Sequence, residues 1–322
     1  MRAAIIGLGV IGKVHYGVLK SMGEEIVALC DINPARLGEY EGAKKYLNYK
    51  IMLDSEKIDV VHVCTPHYLH AEMVIYALNK GINVLCEKPL CISSEEIDAV
   101  LEAEKNSSAQ LGVCFQNRYN ETSRFAKGCL EDKKINYAYG IVRWHRDKAY
   151  YDSAEWRGKK ATEGGGVLIN QAIHTLDLLE WIAGGAKTAC GETFQLKLKD
   201  VIEVEDTAVA DFKGECEFSL FATTTADKDM PIELRFFTDD MVLSFTPDVL
   251  KVNGKEVKIL DELKGVWHGK ASYGNGHEKL IRDFYECIEE GRKFSIDGEE
   301  GAKALRAVFA VYESHGNVVE IR

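Results

Sequence analysis

"RAAIIGLGVIGKVHYGVLKSM", residues 2–22, decides the fold. A short apolar run ends in Gly7, and from Val10 the apolar residues recur at helical spacing. The turn between them is G-x-G-x-x-G, at Gly7, Gly9 and Gly12. That hexapeptide alone is weak evidence. Placed after a strand and opening a helix, it is the fingerprint of a dinucleotide-binding βαβ unit. A second apolar run, "EIVALCD", ends in Asp31, 19 residues after Gly12, where such units place an acid against a ribose. Gly7 permits the tight turn, Gly9 lets backbone approach a pyrophosphate, and Gly12 lets helix and strand pack closely. The N–H groups of Gly9, Val10, Ile11 and Gly12 open the helix and offer partial positive charge to phosphates. A carboxylate at Asp31 accepts both ribose hydroxyls of NAD and repels a 2′-phosphate, so NAD is expected over NADP. Arg36, five residues on, is the residue that would meet such a phosphate, with a solvated helix position as its alternative.

Outward from this stretch the alternation continues. "PARLGEYEGAKKY" opens with proline, which suits a first helical turn. "DVVHVCTP", "INVLCEKP" and "QLGVCFQ" read as three further buried strands, separated by the helical stretches "HYLHAEMVIYALNKG" and "SSEEIDAVLEAEKNSS". This pattern implies a parallel, doubly wound sheet with right-handed crossovers, a Rossmann domain over residues 1–120. Beyond a bridging helix at "YNETSRFAKGCLED" the period changes. "INYAYGIVRWHR", "ETFQLKLK", "TAVADFKGECEFSLFATT", "IELRFFTDDMVLSF" and "VLKVNGKEVKIL" alternate as strands, with "KGE", "TDD" and "NGK" as turns. One helix, "INQAIHTLDLLEWIAGG", interrupts them, and two follow, "HEKLIRDFYECIEEG" and "EEGAKALRAVFAVYES". Residues 121–322 are therefore expected to form an α+β domain on a large, mainly antiparallel sheet.

Composition narrows the function. The 322 residues are too many for one core. A net charge of −11 lacks the clustered basic surface of a nucleic-acid binder, and no apolar run reaches a membrane span. Nine cysteines, mostly inside apolar stretches and without a C-x-x-C pair, indicate reduced thiols in a cytoplasmic protein. No His/Cys/Asp/Glu group has metal-ligand spacing in the sequence, so no metal is expected.

Three segments carry a resemblance: "GLGVIGKVH", "CTPHYLHAEMVIYALNKGINVLCEKPL" and "EGGGVLINQAIHTLDLLEWIAGG"; "YGNGHEKLIRDFYECIEEG" adds to it. Together they resemble the glucose–fructose oxidoreductase / inositol dehydrogenase (Gfo/Idh/MocA) family across almost the whole chain. The combination of "EKP" with "GGG" and H-x-x-D is what makes the resemblance specific. It implies an NAD-dependent enzyme that moves a hydride between the CH–OH of a sugar, sugar derivative or cyclitol and the nicotinamide. It places the Lys88 ammonium near the nicotinamide and the reacting carbon, where positive charge favours a developing alkoxide. It also implies a cis Lys88–Pro89 bond. An exposed lysine in a strand–helix loop is the plain alternative.

His174 follows the glycine run on the first turns of a helix, and an imidazole titrating near neutrality suits proton transfer. Its alternative is a packed histidine bonded to Asp177; the two are compatible, because Asp177 would orient the ring. Asn170 stands where inositol dehydrogenase-like members carry aspartate, four residues before the histidine, and is taken as a substrate contact. Thr65, Pro66, His67, His70, Glu87, Gln116 and Asn117 are the further cofactor contacts that the resemblance implies; His70 suits packing equally well. Tyr119, Trp156 and Arg157 are candidate substrate contacts, with surface anchoring as the alternative for the last two. The broad sheet would expose an apolar face unless paired, so a homodimer or homotetramer is expected. Two other activities fit the resemblance: an NAD-binding regulatory protein, and an enzyme whose NAD stays bound and recycles, as in transhydrogenases or NAD-dependent glycosidases.

Overall fold

The structure, a computed structural model, describes residues 1–259 and 276–322. Leu260, which closes the last expected strand, and residues 273–275 of the "YGNGH" segment lie outside the described residues. The chain divides into two compact units. The first holds residues 1–116 and 276–302, and the second holds 117–259 and 303–322.

The first unit is built on β1 (Arg2–Ile6), α1 (Val10–Met22), β2 (Glu25–Cys30), α2 (Pro34–Leu37), β3 (Lys44–Tyr46), α3 (Tyr49–Ser55), β4 (Val60–Val63), α4 (His70–Leu78), β5 (Asn83–Glu87), α5 (Ser94–Lys105) and β6 (Leu111–Cys114). Its six strands are all parallel in the order β3-β2-β1-β4-β5-β6, the doubly wound arrangement. β4 and β6 are buried along their whole length, as the continuous apolar runs require of strands covered on both faces. The capping signal before α5 is realised: the Ser93 hydroxyl accepts from the Glu96 N–H, and the Glu96 carboxylate accepts from the Ile92 N–H.

Two details differ from the expectation. "PARLGEYEGAKKY" is helical only over Pro34–Leu37, and its end forms the edge strand β3. Gly38 and Gly42 interrupt it, Gly42 with φ +84°, and β3 then pairs with β2. The late helix α10 (Gly276–Glu290), assigned by the sequence reading to the second domain, belongs to the first unit, where it packs on α1 and β6. Phe284 of α10 lies so close to the sheet that a Cβ on Gly112 would stand 2.9 Å from its ring.

The second unit comprises α6 (Glu121–Leu130), β7 (Ile135–Arg143), α7 (Lys148–Asp152), α8 (Lys160–Glu163), a π-helical turn (Leu168–Ala172), α9 (Ile173–Ala183), β8 (Ala186–Phe194), β9 (Thr207–Gly214), β10 (Glu217–Thr223), β11 (Glu233–Thr238), β12 (Val242–Phe245), β13 (Leu250–Val252), β14 (Lys255–Val257) and β15 (Val319–Glu320). α11 (Gly298–Ser314) begins in the first unit and continues in the second. The nine strands run β14-β13-β12-β11-β7-β10-β9-β8-β15, antiparallel except for the β7–β10 pair. "ETFQLKLK" is strand only as far as Phe194; Asp206 then takes the N–H groups of Leu196, Lys197 and Leu198 into a turn. α9 packs on β7 and β10, and alternate residues of the central strands are buried beneath it.

Candidate active site

The register of the parallel sheet sets its carboxyl ends side by side: Ile6 pairs with Cys30 and Val63, Val63 with Cys86, and Glu87 with Cys114. The residues just beyond those ends therefore line one edge, where open α/β sheets bind ligands. Gly7 has φ +90°, and a Cβ there would sit 2.6 Å from the Cys64 carbonyl. A Cβ on Gly12 would meet the Gly7 carbonyl at 1.9 Å, so both positions require glycine. A Cβ on Gly9 would meet nothing within 4 Å, which leaves space above the turn. Val10 is exposed, Ile11 is half-buried, and α1 has no acidic residue in its first turn. Asp31 accepts from the N–H groups of Leu8 and Asn33, both at 2.8 Å, which locks the two turns together. Arg36 is half in solvent and donates to Asp31 at 3.3 Å. An open glycine turn, a helix N-terminus and a fixed carboxylate fit a dinucleotide, with Asp31 able to accept further bonds from ribose hydroxyls.

"VLCEKPL" acquires its meaning at this edge. Within the described stretch 84–91, Lys88 alone is not buried. The Lys88–Pro89 bond is cis, as expected. The strand thus runs through the core and presents one ammonium at its carboxyl end. Thr65 and Pro66, beyond β4, are also partly open, whereas His67 and His70 are buried. Both ring nitrogens of His70 face carbonyls, Pro89 O at 2.7 Å and Thr65 O at 2.8 Å. Burial lowers its pKa although the two carbonyls favour the charged ring. His70 therefore ties two strand ends together, so the packing alternative holds for it. Glu87 points inward: its carboxylate takes His15 Nε2 at 2.9 Å, with His277 Nε2 at 3.6 Å. Burial pushes this carboxyl up, but the two histidines outweigh it and hold it well below the usual range. Gln116 and Asn117 are buried in the short 3-10 turn Gln116–Tyr119, and Tyr119 is half-buried.

The second unit has its own partly open pair. Within the described stretch 165–180, only Asn170 and His174 are not buried. Asn170 lies in the π-helical turn that feeds α9, and His174 is the second residue of α9. π-turns of this kind are frequent at functional sites. Asp177 receives Arg118 through both oxygens, Nε to Oδ2 at 2.9 Å and Nη2 to Oδ1 at 2.6 Å. The carboxylate expected to orient His174 thus anchors a buried guanidinium, which also lies over Trp181.

Glu163 escaped the sequence reading. Its side chain accepts from Asn170 Nδ2 and from the Gly158 N–H. Its only sequence signal is its place before the glycine run, which folds it back on Asn170. Burial, opposed by those two hydrogen bonds, pushes its carboxyl up to about 7. The native state therefore binds the proton more tightly than the unfolded chain. The stability due to that proton is full below about pH 4.5 and is lost as pH rises through about 7. Relative to Glu163→Gln, the wild type should lose on the order of 3 kcal/mol between pH 5 and pH 8. Denaturant unfolding of both proteins across that range checks this; parallel pH dependence would refute it.

Trp156 and Arg157 form a cluster with Tyr150. Arg157 stacks 4.4 Å over Tyr150 and 4.7 Å over Trp156, and donates to the Tyr150 hydroxyl. Gln171, next to Asn170, donates to the same hydroxyl at 3.3 Å. A set of side chains with aromatic faces and guanidinium donors is thereby joined to the turn that carries Asn170.

Comparison with known proteins agrees with this geometry. Residues 1–115 match the family model described as the oxidoreductase family with an NAD-binding Rossmann fold (GFO_IDH_MocA), and residues 133–242 match the GFO/IDH/MocA C-terminal domain. The chain is 28% identical over 190 residues to inositol 2-dehydrogenase of Salmonella paratyphi B, covering 56% of this chain and 54% of the relative. It is 30% identical over 206 residues to D-glucoside 3-dehydrogenase of Escherichia coli, covering 61% and 58%. The chain spans about half the length of the curated relatives it matches. The WlbA dehydrogenase from Bordetella pertussis, solved with NADH and UDP-GlcNAcA, superposes with a TM-score of 0.87 at 26% identity, over 100% of this chain and 98% of that one.

Proposed function

We propose that this chain, which belongs to the GFO/IDH/MocA family of NAD-binding oxidoreductases, is a dehydrogenase that oxidises a CH–OH group of a sugar, sugar derivative or cyclitol. The observation that carries the reading is Lys88. It alone breaks the surface of a buried run, on the same strand-end row as the glycine turn and Asp31. The relatives are named for inositol and glucoside substrates, and the WlbA structure holds a nucleotide sugar.

NAD supplies the hydride acceptor. In this reading Gly7, Gly9, Val10, Ile11 and Gly12 hold its pyrophosphate, Asp31 its ribose, and Thr65 and Pro66 flank the nicotinamide side. Lys88 stabilises the oxygen as the hydroxyl loses its proton, and His174 takes that proton. Asn170, with Trp156, Arg157 and Tyr119, orients the substrate. A panel of sugars and cyclitols offered with NAD tests this by NADH absorbance. Free NADH should accumulate with at least one compound; product without NADH, or no turnover with any, would overturn it.

Asp31 should make the enzyme prefer NAD. Asp31→Ser should weaken NAD binding and strengthen NADP binding, because it removes the repulsion and releases Arg36 from its carboxylate partner. Fluorescence titration with both cofactors decides; tighter NADP binding by the wild type would refute the role of Asp31.

We also propose a homo-oligomer joined through the sheet face turned away from α9. Tyr137, Val209 and Phe221 are exposed there, on adjacent strands. Phe221→Arg should shift the molar mass in light scattering to that of one chain. All nine thiols are free, which supports a reducing, cytoplasmic setting. Among the described residues no helix is long and apolar enough to cross a membrane.

A further inference from the structure

The expectation of no metal rested on spacing along the sequence, and the fold of the first unit changes that spacing. His15 of α1, Glu87 at the end of β5, Cys114 at the end of β6 and His277 of α10 converge in its interior. One donor atom from each lies within 4.8 Å of all the others, and all four residues are buried. We propose that these four side chains form a structural Zn²⁺ site.

The chemistry of the set supports this. Two imidazoles, a thiolate and a carboxylate are ordinary zinc ligands. Deprotonated, they carry two negative charges, which neutralise a divalent cation in a buried place. Four protein donors with no open position describe a structural rather than a catalytic centre. Donors around tetrahedral zinc lie roughly 3.3–3.8 Å apart, given metal–ligand bonds of about 2.0–2.3 Å. Here His277 Nε2 is 3.6 Å from Glu87 Oε1, and His15 Nε2 is 2.9 Å from the same oxygen. Adjustments of about an ångström would admit the ion.

A hydrogen-bonded chain stands behind the first ligand. His15 Nδ1 meets His62 Nδ1 at 2.7 Å, and His62 Nε2 meets the Tyr285 hydroxyl at 2.9 Å. Metal binding requires the lone pair of His15 Nε2, so the proton must sit on Nδ1. His62 can accept that proton's hydrogen bond and pass its own N–H to Tyr285. Zinc-bound histidines are commonly oriented by such outer partners. The ion would fasten α1 and α10 to the ends of β5 and β6. The assignment does not depend on the dehydrogenase reading.

The test uses tag-free full-length protein, stripped with a chelator and titrated with Co²⁺ alone, then with Zn²⁺. One Co²⁺ per chain should bind with a thiolate-to-cobalt charge-transfer band, be displaced by Zn²⁺, and raise Tm. Cys114→Ser should abolish the band, and His277→Ala should weaken binding by about 100-fold or more, at least the loss seen for an outer-shell partner. A Cys129→Ser/Cys190→Ser protein, lacking the two partly exposed thiols, should keep the band. If Cys114→Ser does not fold, the wild-type stoichiometry and that double variant decide. Failure of the wild type to bind one ion per chain, or a band that vanishes with Cys129 and Cys190, would overturn the site and leave a buried hydrogen-bonded cluster. Neither result touches NADH formation from sugars, so the two readings fail separately.

Discussion

Lys88→Met is expected to lower kcat by roughly 10²–10³-fold while NAD binding stays near wild type. Methionine keeps the length of the side chain and removes the charge. A charge that stabilises a developing alkoxide acts in the transition state, so its loss appears in kcat rather than in ground-state binding. The position favours this outcome, because Lys88 alone escapes burial in its stretch and Pro89 is fixed from behind by His70. His174→Ala should lower kcat as well and flatten the rise of activity with pH near neutrality, since the base is removed. Asn170→Ala should act mainly on KM, as expected of an amide that only positions substrate. Steady-state kinetics on the three variants, with the substrate found by screening, check the set. Near-wild-type kcat in both Lys88→Met and His174→Ala would refute this assignment of roles.

Asp177→Asn is expected to destabilise the protein by about 3–5 kcal/mol, the usual cost of removing one partner of a buried ion pair. The side chains of Arg118 and Asp177 are 4% and 1% exposed, so solvent does not replace the lost carboxylate. Arg118→Met/Asp177→Leu should cost less than Asp177→Asn alone, because both charges leave together and the methionine stem can still pack on Trp181. Urea unfolding of the three proteins measures this; an Asp177→Asn protein within about 1 kcal/mol of wild type would show that the pair holds nothing. The pair also fixes the turn that carries Asn117 and Tyr119 against α9, so a fall in activity of the single variant should be larger than its loss of folded protein explains.

Much of the candidate site was legible in the residues. The glycine turn and Asp31 lie within one βαβ unit, whose geometry is local, so a spacing of 19 residues carries three-dimensional meaning. Lys88 was legible because a charge followed by proline contradicts the apolar run before it. Tyr150, Glu163 and the Arg118–Asp177 pair were not legible in these roles. Each acquires its partner through a turn or a packed helix, and none breaks a local pattern. His70 shows the reverse: its position in "CTPHYLH" pointed to the cofactor, while its two carbonyl partners lie five and nineteen residues away in sequence.

By itself the sequence determined the alternation of strands and helices, the parallel sheet that follows from it, the dinucleotide turn with its acid, and the change to an antiparallel sheet near residue 120. These depend on periodicity and on the backbone needs of glycine and proline, which act over a few residues. Only the tertiary structure decided that α10 returns to the first unit, that Asp177 belongs to Arg118, and that His15, Glu87, Cys114 and His277 share one interior point. Those pairings are chosen by packing and by the need of buried polar groups for partners. A buried carboxylate accepts whichever donor the fold delivers, and its distance along the chain leaves no mark on the residues around it.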